Sequence, residues 1–121
     1  MNQTIEKSPL TIVVVIRTDP RLSRRPVEAI RMALGLGAGI NRVAILMMGN
    51  APILLTGDEE IQDYDILEKY ISSFEDMETP FLIEDDFLAK HPGFKSDYPY
   101  KGVAPEEIAE TMAAGDRFFI F

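Results

Sequence analysis

An arginine-rich segment is the most unusual local feature of the sequence. It places guanidinium groups directly ahead of a predicted helix, with Asp19 and Ser23 between them: Arg17, Arg21, Arg24 and Arg25. Free N–H groups and the helix dipole already favour anions at such a position. The segment therefore predicts a site for a small anionic molecule or for an acidic partner surface. The alternative is that the guanidinium groups lie in water beside an Asp19-Pro20 turn.

A second segment combines carboxylates with the one histidine of the chain. Glu84, Asp85 and Asp86 are consecutive, and His91 follows five residues later. Adjacent carboxylates can raise one another's pKa or hold a hard cation. Asp85 and Asp86 are also ordinary residues for the start of a helix, and a lone histidine is usually structural or exposed. We therefore predict Glu84 and Asp85 as ligand-binding residues, with no catalytic residue, metal or cofactor.

Several common catalytic and binding motifs are excluded. The glycines of Gly35-Leu36-Gly37-Ala38-Gly39 close a predicted helix, whereas a dinucleotide fingerprint opens one. The sequence has no Gly-Lys-Ser or Gly-Lys-Thr phosphate loop and no Gly-x-Ser-x-Gly nucleophile elbow. It also has no cysteine, which excludes disulfides, thiolate catalysis and zinc-thiolate sites.

Aromatic residues follow the acidic segment in a loop that contains Pro99 and Gly102. They are Phe94, Tyr98 and Tyr100. Rigid aromatic side chains on loops are favoured at interfaces, so we predict that these three contact another chain. They could equally fold down over an edge of the sheet.

Length and charge describe the setting of these residues. The 121 residues predict a single domain, 1–121. The net charge of −8 argues against binding to nucleic acid or anionic lipid. Residues 1–50 carry a net +4 and residues 51–121 a net −12, so two copies could associate basic side to acidic side, although the acids could simply coat solvated helices. No signal peptide or membrane span is predicted, and we expect a cytoplasmic protein.

The pattern of apolar runs predicts the fold. Four runs, at residues 10–16, 43–48, 81–83 and 118–121, are nearly continuous rather than alternating, as in strands covered on both faces. Helical patterns separate them, so we predict an α/β fold with a small, mainly parallel, doubly wound sheet of four to five strands and helices on both faces. The segments after the first three strands should meet beyond their carboxyl ends, and the last of them, residues 84–102, is predicted as a long loop.

Helix boundaries are predicted from capping residues. Ser23 is a candidate N-cap of the first helix, and Thr56 with Glu59 has the capping-box spacing for the second. Pro105 suits the first turn of the last helix, which Gly115 should end. Asp85 and Asp86 should begin a short helix that ends near Lys90.

Three stretches of the chain resemble the DsrE/DsrF-like family, which includes the TusB, TusC and TusD sulfur-relay subunits. They are TIVVVIRTDPRLSRRPVEAIRMALGLGAG, RVAILMMGNAPILL and the final AAGDRFFIF. The resemblance spans roughly residues 10–83 and 104–121 and lies in pattern rather than in a rare motif. It implies a small α/β domain that forms a homo-oligomer, commonly a trimer or hexamer, or a hetero-oligomer with other DsrE-like subunits.

The resemblance also bears on sulfur chemistry. Members that carry sulfur have a cysteine just after the third strand, where this chain has Glu84 or Asp85. The resemblance therefore implies a non-catalytic structural, regulatory or ligand-binding subunit that could still be linked to sulfur metabolism. The alternative is an enzyme or a small-anion or nucleotide sensor that uses the arginine segment with Glu84, Asp85 and His91.

Overall fold

Five parallel strands form the single sheet found in residues 9–74 and 80–121, which are the residues described by a computed structural model. The strands are β1 (Thr11–Ile16), β2 (Arg42–Met47), β3 (Phe81–Glu84), β4 (Tyr100–Val103) and β5 (Arg117–Ile120). Their order across the sheet is β4-β3-β2-β1-β5, and each neighbouring pair is parallel. This confirms the predicted α/β fold. The first eight residues, where no signal peptide is predicted, lie outside the described residues.

The described connections between the strands contain the α-helices α1 (Arg25–Gly37), α2 (Tyr64–Ile71), α3 (Asp85–Lys90) and α4 (Pro105–Ala114). The chain moves one strand at a time from β1 to β4 and then returns across the sheet to β5. Because parallel crossovers are right-handed, this return places α4 on the face opposite to the other three helices. No helix in the described ranges is long and apolar enough to cross a membrane.

The two faces of the sheet are covered to very different extents. On the first face, Ile12, Val14 and Ile16 of β1 join α1, α2 and Phe87 in one large buried cluster. On the second face the buried cluster is small: Val13, Val15, Leu46 and Val103. Burial on both faces explains why β1 is continuously apolar, since it lies inside the sheet between β2 and β5.

Within residues 9–74 and 80–121, α4 is the one helix that covers the second face. Ile108 and Met112 of this helix pack on the small cluster but are only partly buried, and no residue of α4 is fully buried. Strand β5 is exposed along its whole length. Its apolar side chains remain 44% (Phe118), 37% (Phe119) and 50% (Ile120) exposed.

The helix starts were predicted with mixed success. The prediction of Ser23 as the N-cap of α1 is wrong, because Arg24 occupies that position and makes no side-chain cap hydrogen bond. Ser23 Oγ accepts a hydrogen bond from the Arg25 N–H at 3.1 Å, one residue before the cap. Gly115 follows the last residue of α4 as predicted. The predicted capping box of Thr56 and Glu59 is wrong, because α2 begins only at Tyr64. Thr56 instead closes the 3-10 turn Ala51–Leu55, and its Oγ1 donates to the Ile53 carbonyl at 2.7 Å.

The prediction of one long connection over residues 84–102, with a short helix at its start, is right about the helix but misses a strand. The segment contains α3, as its acidic residues indicated, and then β4, which pairs with β3 at the edge of the sheet. The connection between α3 and β4 is therefore residues 91–99. Tyr100 is the first residue of β4 and not a loop residue.

Candidate functional site

The segments that follow β1, β2 and β3 lie together at one end of the sheet. We call this surface the rim: residues 17–25, 49–50 and 84–86. Asn50 Nδ2 donates to Asp19 Oδ2 at 3.4 Å, and the Gly49 N–H donates to Glu84 Oε1 at 2.9 Å. Residues 49–50 thus join the arginine segment to the acidic segment, as expected for the carboxyl ends of parallel strands.

Asp19 and Arg21 are joined by three hydrogen bonds in the rim. Arg21 donates from Nε to Oδ1 at 3.0 Å and from Nη2 to Oδ2 at 2.7 Å, and its backbone N–H also reaches Oδ1 at 2.9 Å. The hydrogen bond from Arg21 is the main cause of a lowered pKa for Asp19. The same contact raises the pKa of Arg21. Asp19 and Arg21 were both predicted to bind a ligand, but in this ion pair their opposite charges offset each other.

The remaining arginines do not converge on one point. Arg24 Nε lies 3.1 Å from Asp63 Oδ2. Arg25 donates to the Ile120 carbonyl at 3.2 Å and lies over the ring of Phe121, 5.5 Å from its centre. In the described parts of the chain, Arg17 is the one arginine of this segment whose guanidinium has no such contact.

Glu84 and Asp85 stand at the junction between β3 and α3. Glu84 is the last residue of β3 and precedes the first turn of α3, which contains Asp85 and Asp86. Asp85 Oδ1 lies close over Gly102 of β4. Asp86 forms an exposed ion pair with Lys90 at 3.0 Å. Glu84 is therefore the member of the acidic segment that contacts the rest of the rim.

His91 lies beside the acidic segment. Its ring stacks on Phe87 with centroids 4.0 Å apart, and Nδ1 lies 2.9 Å from the Phe87 carbonyl oxygen. A carbonyl only accepts, so Nδ1 carries the proton and Nε2 is the nitrogen left for a ligand. His91 and Glu84 share the lining of a cavity of about 120 Å³. Within residues 9–74 and 80–121, no group of three acidic or histidine side chains has the arrangement that a metal ion needs.

The predicted interface aromatics pack largely against their own chain. Phe94 meets the ring of Phe87 edge-on at 5.4 Å and that of Tyr100 at 5.2 Å. Tyr98 meets Phe81 at 6.5 Å. Phe94 and Tyr98 are partly buried, whereas Tyr100 is 40% exposed. The contact of these residues with another chain stays a prediction.

A larger cleft, of about 420 Å³, lies on the other side of His91. Its lining comes from the segment after β2 and from the connection between α3 and β4: Ile53, Thr56, Asp58, Phe87, His91, Gly93, Phe94 and Lys95. Of its polar and aromatic members, Asp58, Phe87 and Lys95 were not singled out from the sequence. Phe87 belongs to the buried side of α3, and Asp58 and Lys95 are ordinary turn residues far apart in the chain, with no motif that links them.

Comparison with known proteins supports the fold. The structure is similar to the crystal structure of the ychN protein from E. coli, with a TM-score of 0.77, 16% sequence identity, and coverage of 93% of this chain and 99% of that one. No protein-family model matches the chain, and no curated protein matches it at a significant level.

Proposed function

We propose that this chain is a DsrE-like subunit that works within an oligomer and does not carry sulfur covalently. The similarity of the whole fold to the ychN protein supports a DsrE-like architecture. Glu84 and Asp85 stand at the β3–α3 junction, where the resemblance places the sulfur-carrying cysteine of other members. A carboxylate cannot form a persulfide, and the sequence contains no cysteine. The role is structural, regulatory or ligand-binding, with a link to sulfur metabolism through a cysteine-bearing partner.

The exposed apolar surface of β5 carries the proposal of an oligomer. Phe118 and Ile120 are paired in register with Val13 and Val15, so they extend the second face of the sheet beyond the buried cluster under α4. Strand β5 is also an edge strand of the sheet formed by the described residues, where no strand pairs the backbone N–H and C=O groups on its outer side. Contiguous apolar surface at an open edge is typical of a surface that another chain covers.

A second copy of this chain is the partner that fits this surface best. The net charges of residues 1–50 and 51–121 have opposite signs, so copies of the chain can approach with complementary surfaces. A closed ring of copies would satisfy the open edge of each. We propose a cytoplasmic homotrimer or homohexamer, with a hetero-oligomer of DsrE-like subunits as the other form of the same assembly.

Light scattering on the purified protein tests the assembly. We expect a trimer or larger species at micromolar concentration. Ile120→Lys places a charge in the apolar surface of β5 and should shift the protein toward the monomer. Ile40→Lys is the matched control, because Ile40 is 57% exposed and precedes β2, outside β5. A monomeric wild type would contradict the proposal, as would an Ile120→Lys variant that assembles like the wild type.

Binding of a small anion or nucleotide at the rim is the second candidate function. It is favoured by the cavity that Glu84 and His91 share and by the guanidinium of Arg17, which has no ion pair within the described residues. Such a site would serve a sensor or an enzyme. A thermal-shift screen with phosphates, nucleotides and divalent metal ions distinguishes it from a purely structural role.

A further inference from the structure

The larger cleft beside His91 has two walls that are held in place independently of any ligand. One wall is the turn after the 3-10 segment, where the Asp58 N–H donates to Thr56 Oγ1 at 3.3 Å and the Glu60 N–H donates to Asp58 Oδ1 at 2.8 Å. The other wall follows α3, where the Phe94 N–H donates to the His91 carbonyl at 2.9 Å. The Asp97 N–H bonds the Leu55 carbonyl at 3.3 Å and ties the two walls together.

The cleft presents an apolar surface between these walls. Ile53 and Phe94 line it and are partly buried, and the buried Phe87 contributes to the same lining. Phe94 is fixed between Phe87 and Tyr100 by two edge-on ring contacts. A volume of about 420 Å³ is within the range of small-molecule sites. The apolar surface suits a flat ring, because aromatic groups gain both area burial and ring contacts there.

The cleft also carries one carboxylate and one ammonium group. Asp58 and Lys95 stand on opposite walls, and neither forms an ion pair within the described residues. Asp58 lies near enough to Arg21 to interact electrostatically, but that guanidinium is bound to Asp19. The lining thus offers an acceptor for a cationic group and a donor for an anionic group beside a site for a ring.

We propose that this cleft binds a small aromatic zwitterion of the class of the free aromatic amino acids. The ring lies against Ile53 and Phe94, the ammonium group binds the carboxylate of Asp58, and the carboxylate binds Lys95. His91 and Phe87 line both this cleft and the smaller cavity at Glu84. The proposal is independent of the assembly proposed above, since none of these residues belongs to β5 or α4.

His91 provides a direct readout, because it is the only histidine in the sequence. Its ring protons give a single set of NMR signals, which titration with L-phenylalanine, L-tyrosine and L-tryptophan should shift. We expect saturable binding with a Kd below about 1 mM. L-Alanine, which lacks the ring, and phenethylamine and phenylpropionate, which each lack one charge, should bind at least tenfold more weakly.

Two substitutions separate the charged contacts from the fold. Asp58→Asn keeps an oxygen that accepts from the Glu60 N–H. Lys95→Met removes a charge that forms no ion pair with any described residue. Each should weaken L-phenylalanine binding at least tenfold, whereas substitution of an exposed residue of α2, Asp65→Asn, should leave it unchanged. Absence of binding would overturn the proposal. So would equal binding of phenethylamine or phenylpropionate, or wild-type affinity in Asp58→Asn.

Discussion

Glu84 Oε1 accepts a hydrogen bond from the backbone N–H of Gly49 at 2.9 Å. The bond joins the ends of β2 and β3 beyond the last paired residues of the two strands, Met47 and Ile83. Gly49 follows Met48, where the chain leaves β2. Its φ of +59° is a backbone conformation that residues with a side chain rarely adopt. Glu84, one of the two carboxylates at the β3–α3 junction, therefore has a structural contact of its own.

Loss of this contact should destabilise the protein. Glu84→Ala leaves the Gly49 N–H without its partner, and we expect the free energy of unfolding to fall by about 1 kcal/mol. Glu84→Gln retains a carbonyl oxygen at the same place and should cost less. Asp86→Ala breaks only an exposed ion pair with Lys90 and should cost about 0.5 kcal/mol or less. Urea denaturation measures all three, and equal losses for Glu84→Ala and Asp86→Ala would contradict the role of Glu84.

The contact between Asp19 and Arg21 should make stability depend on pH. The folded-state pKa of Asp19 is below its unfolded value, mainly because of the hydrogen bond from Arg21. A carboxyl group whose pKa is lowered by folding contributes stability that is fully present above its unfolded pKa of about 4. That contribution is lost as the pH falls through the folded pKa. Asp19→Asn should therefore be less stable than the wild type at pH 7, and this difference should shrink in more acidic solution.

Urea denaturation of both proteins between neutral pH and about pH 2.5 measures that difference. The other carboxylates titrate in both proteins, so their effects cancel in the comparison. Arg21→Gln should show a similar loss of pH dependence, since it removes the partner of the same carboxylate. A difference between wild type and Asp19→Asn that grows as the solution is acidified would show that the sign is wrong.

Anion binding at the rim should depend on Arg17 more than on its neighbours. Arg21 and Arg24 are bound to Asp19 and Asp63, whereas Arg17 has no ion pair within the described residues. We expect phosphate to raise the melting temperature, with a gain of about 2.7 kcal/mol at 100 times its Kd. Arg17→Gln should reduce the increase, and Arg24→Gln should retain it. An unchanged melting temperature across phosphates and nucleotides would contradict a rim site.

The strands and helices that build the core follow directly from the sequence, because their apolar patterns are long. The apolar sequence of β1 predicts a strand that is buried on both faces, and the structure confirms it. Strand β4 is different: Tyr100-Lys101-Gly102-Val103 is short, contains a glycine and a lysine, and lies at an edge where one side is open. Only its pairing with β3 makes it a strand, and such long-range pairing leaves little mark on local sequence.

The site was predictable in position but not in its contacts. The order of strands and helices brings residues 17–25 and 84–86 to one end of the sheet, as predicted. Whether each arginine faces a ligand or a nearby acid depends on turns. Asp63, which pairs with Arg24, has a φ of +58°, and its turn follows the Thr56 segment that looked like a helix start. The position of a turn residue such as Asp63 depends on its backbone conformation, which the spacing of apolar residues does not predict.

Two glycines should respond to alanine substitution with opposite signs. At Gly115, an added Cβ would lie 2.8 Å from Val13 Cγ2 and 2.8 Å from Phe118 Cε1. Val13 is completely buried and β-branched, so its side chain cannot move aside readily. Gly115→Ala should therefore lower the free energy of unfolding by about 1–3 kcal/mol. At Gly35, within α1, no described atom outside the adjoining residues and helix backbone lies within 4 Å of an added Cβ.

Gly35→Ala should instead raise the free energy of unfolding by about 0.5–1 kcal/mol, because alanine loses less backbone entropy in a helix. The same equilibrium denaturation experiment compares both variants with the wild type. Since Phe118 belongs to the exposed surface of β5, light scattering on Gly115→Ala should also show weakened assembly, whereas Gly35→Ala should assemble normally. A stabilised Gly115→Ala would mean that β1 and β5 are packed less closely there than the distances to Val13 and Phe118 indicate.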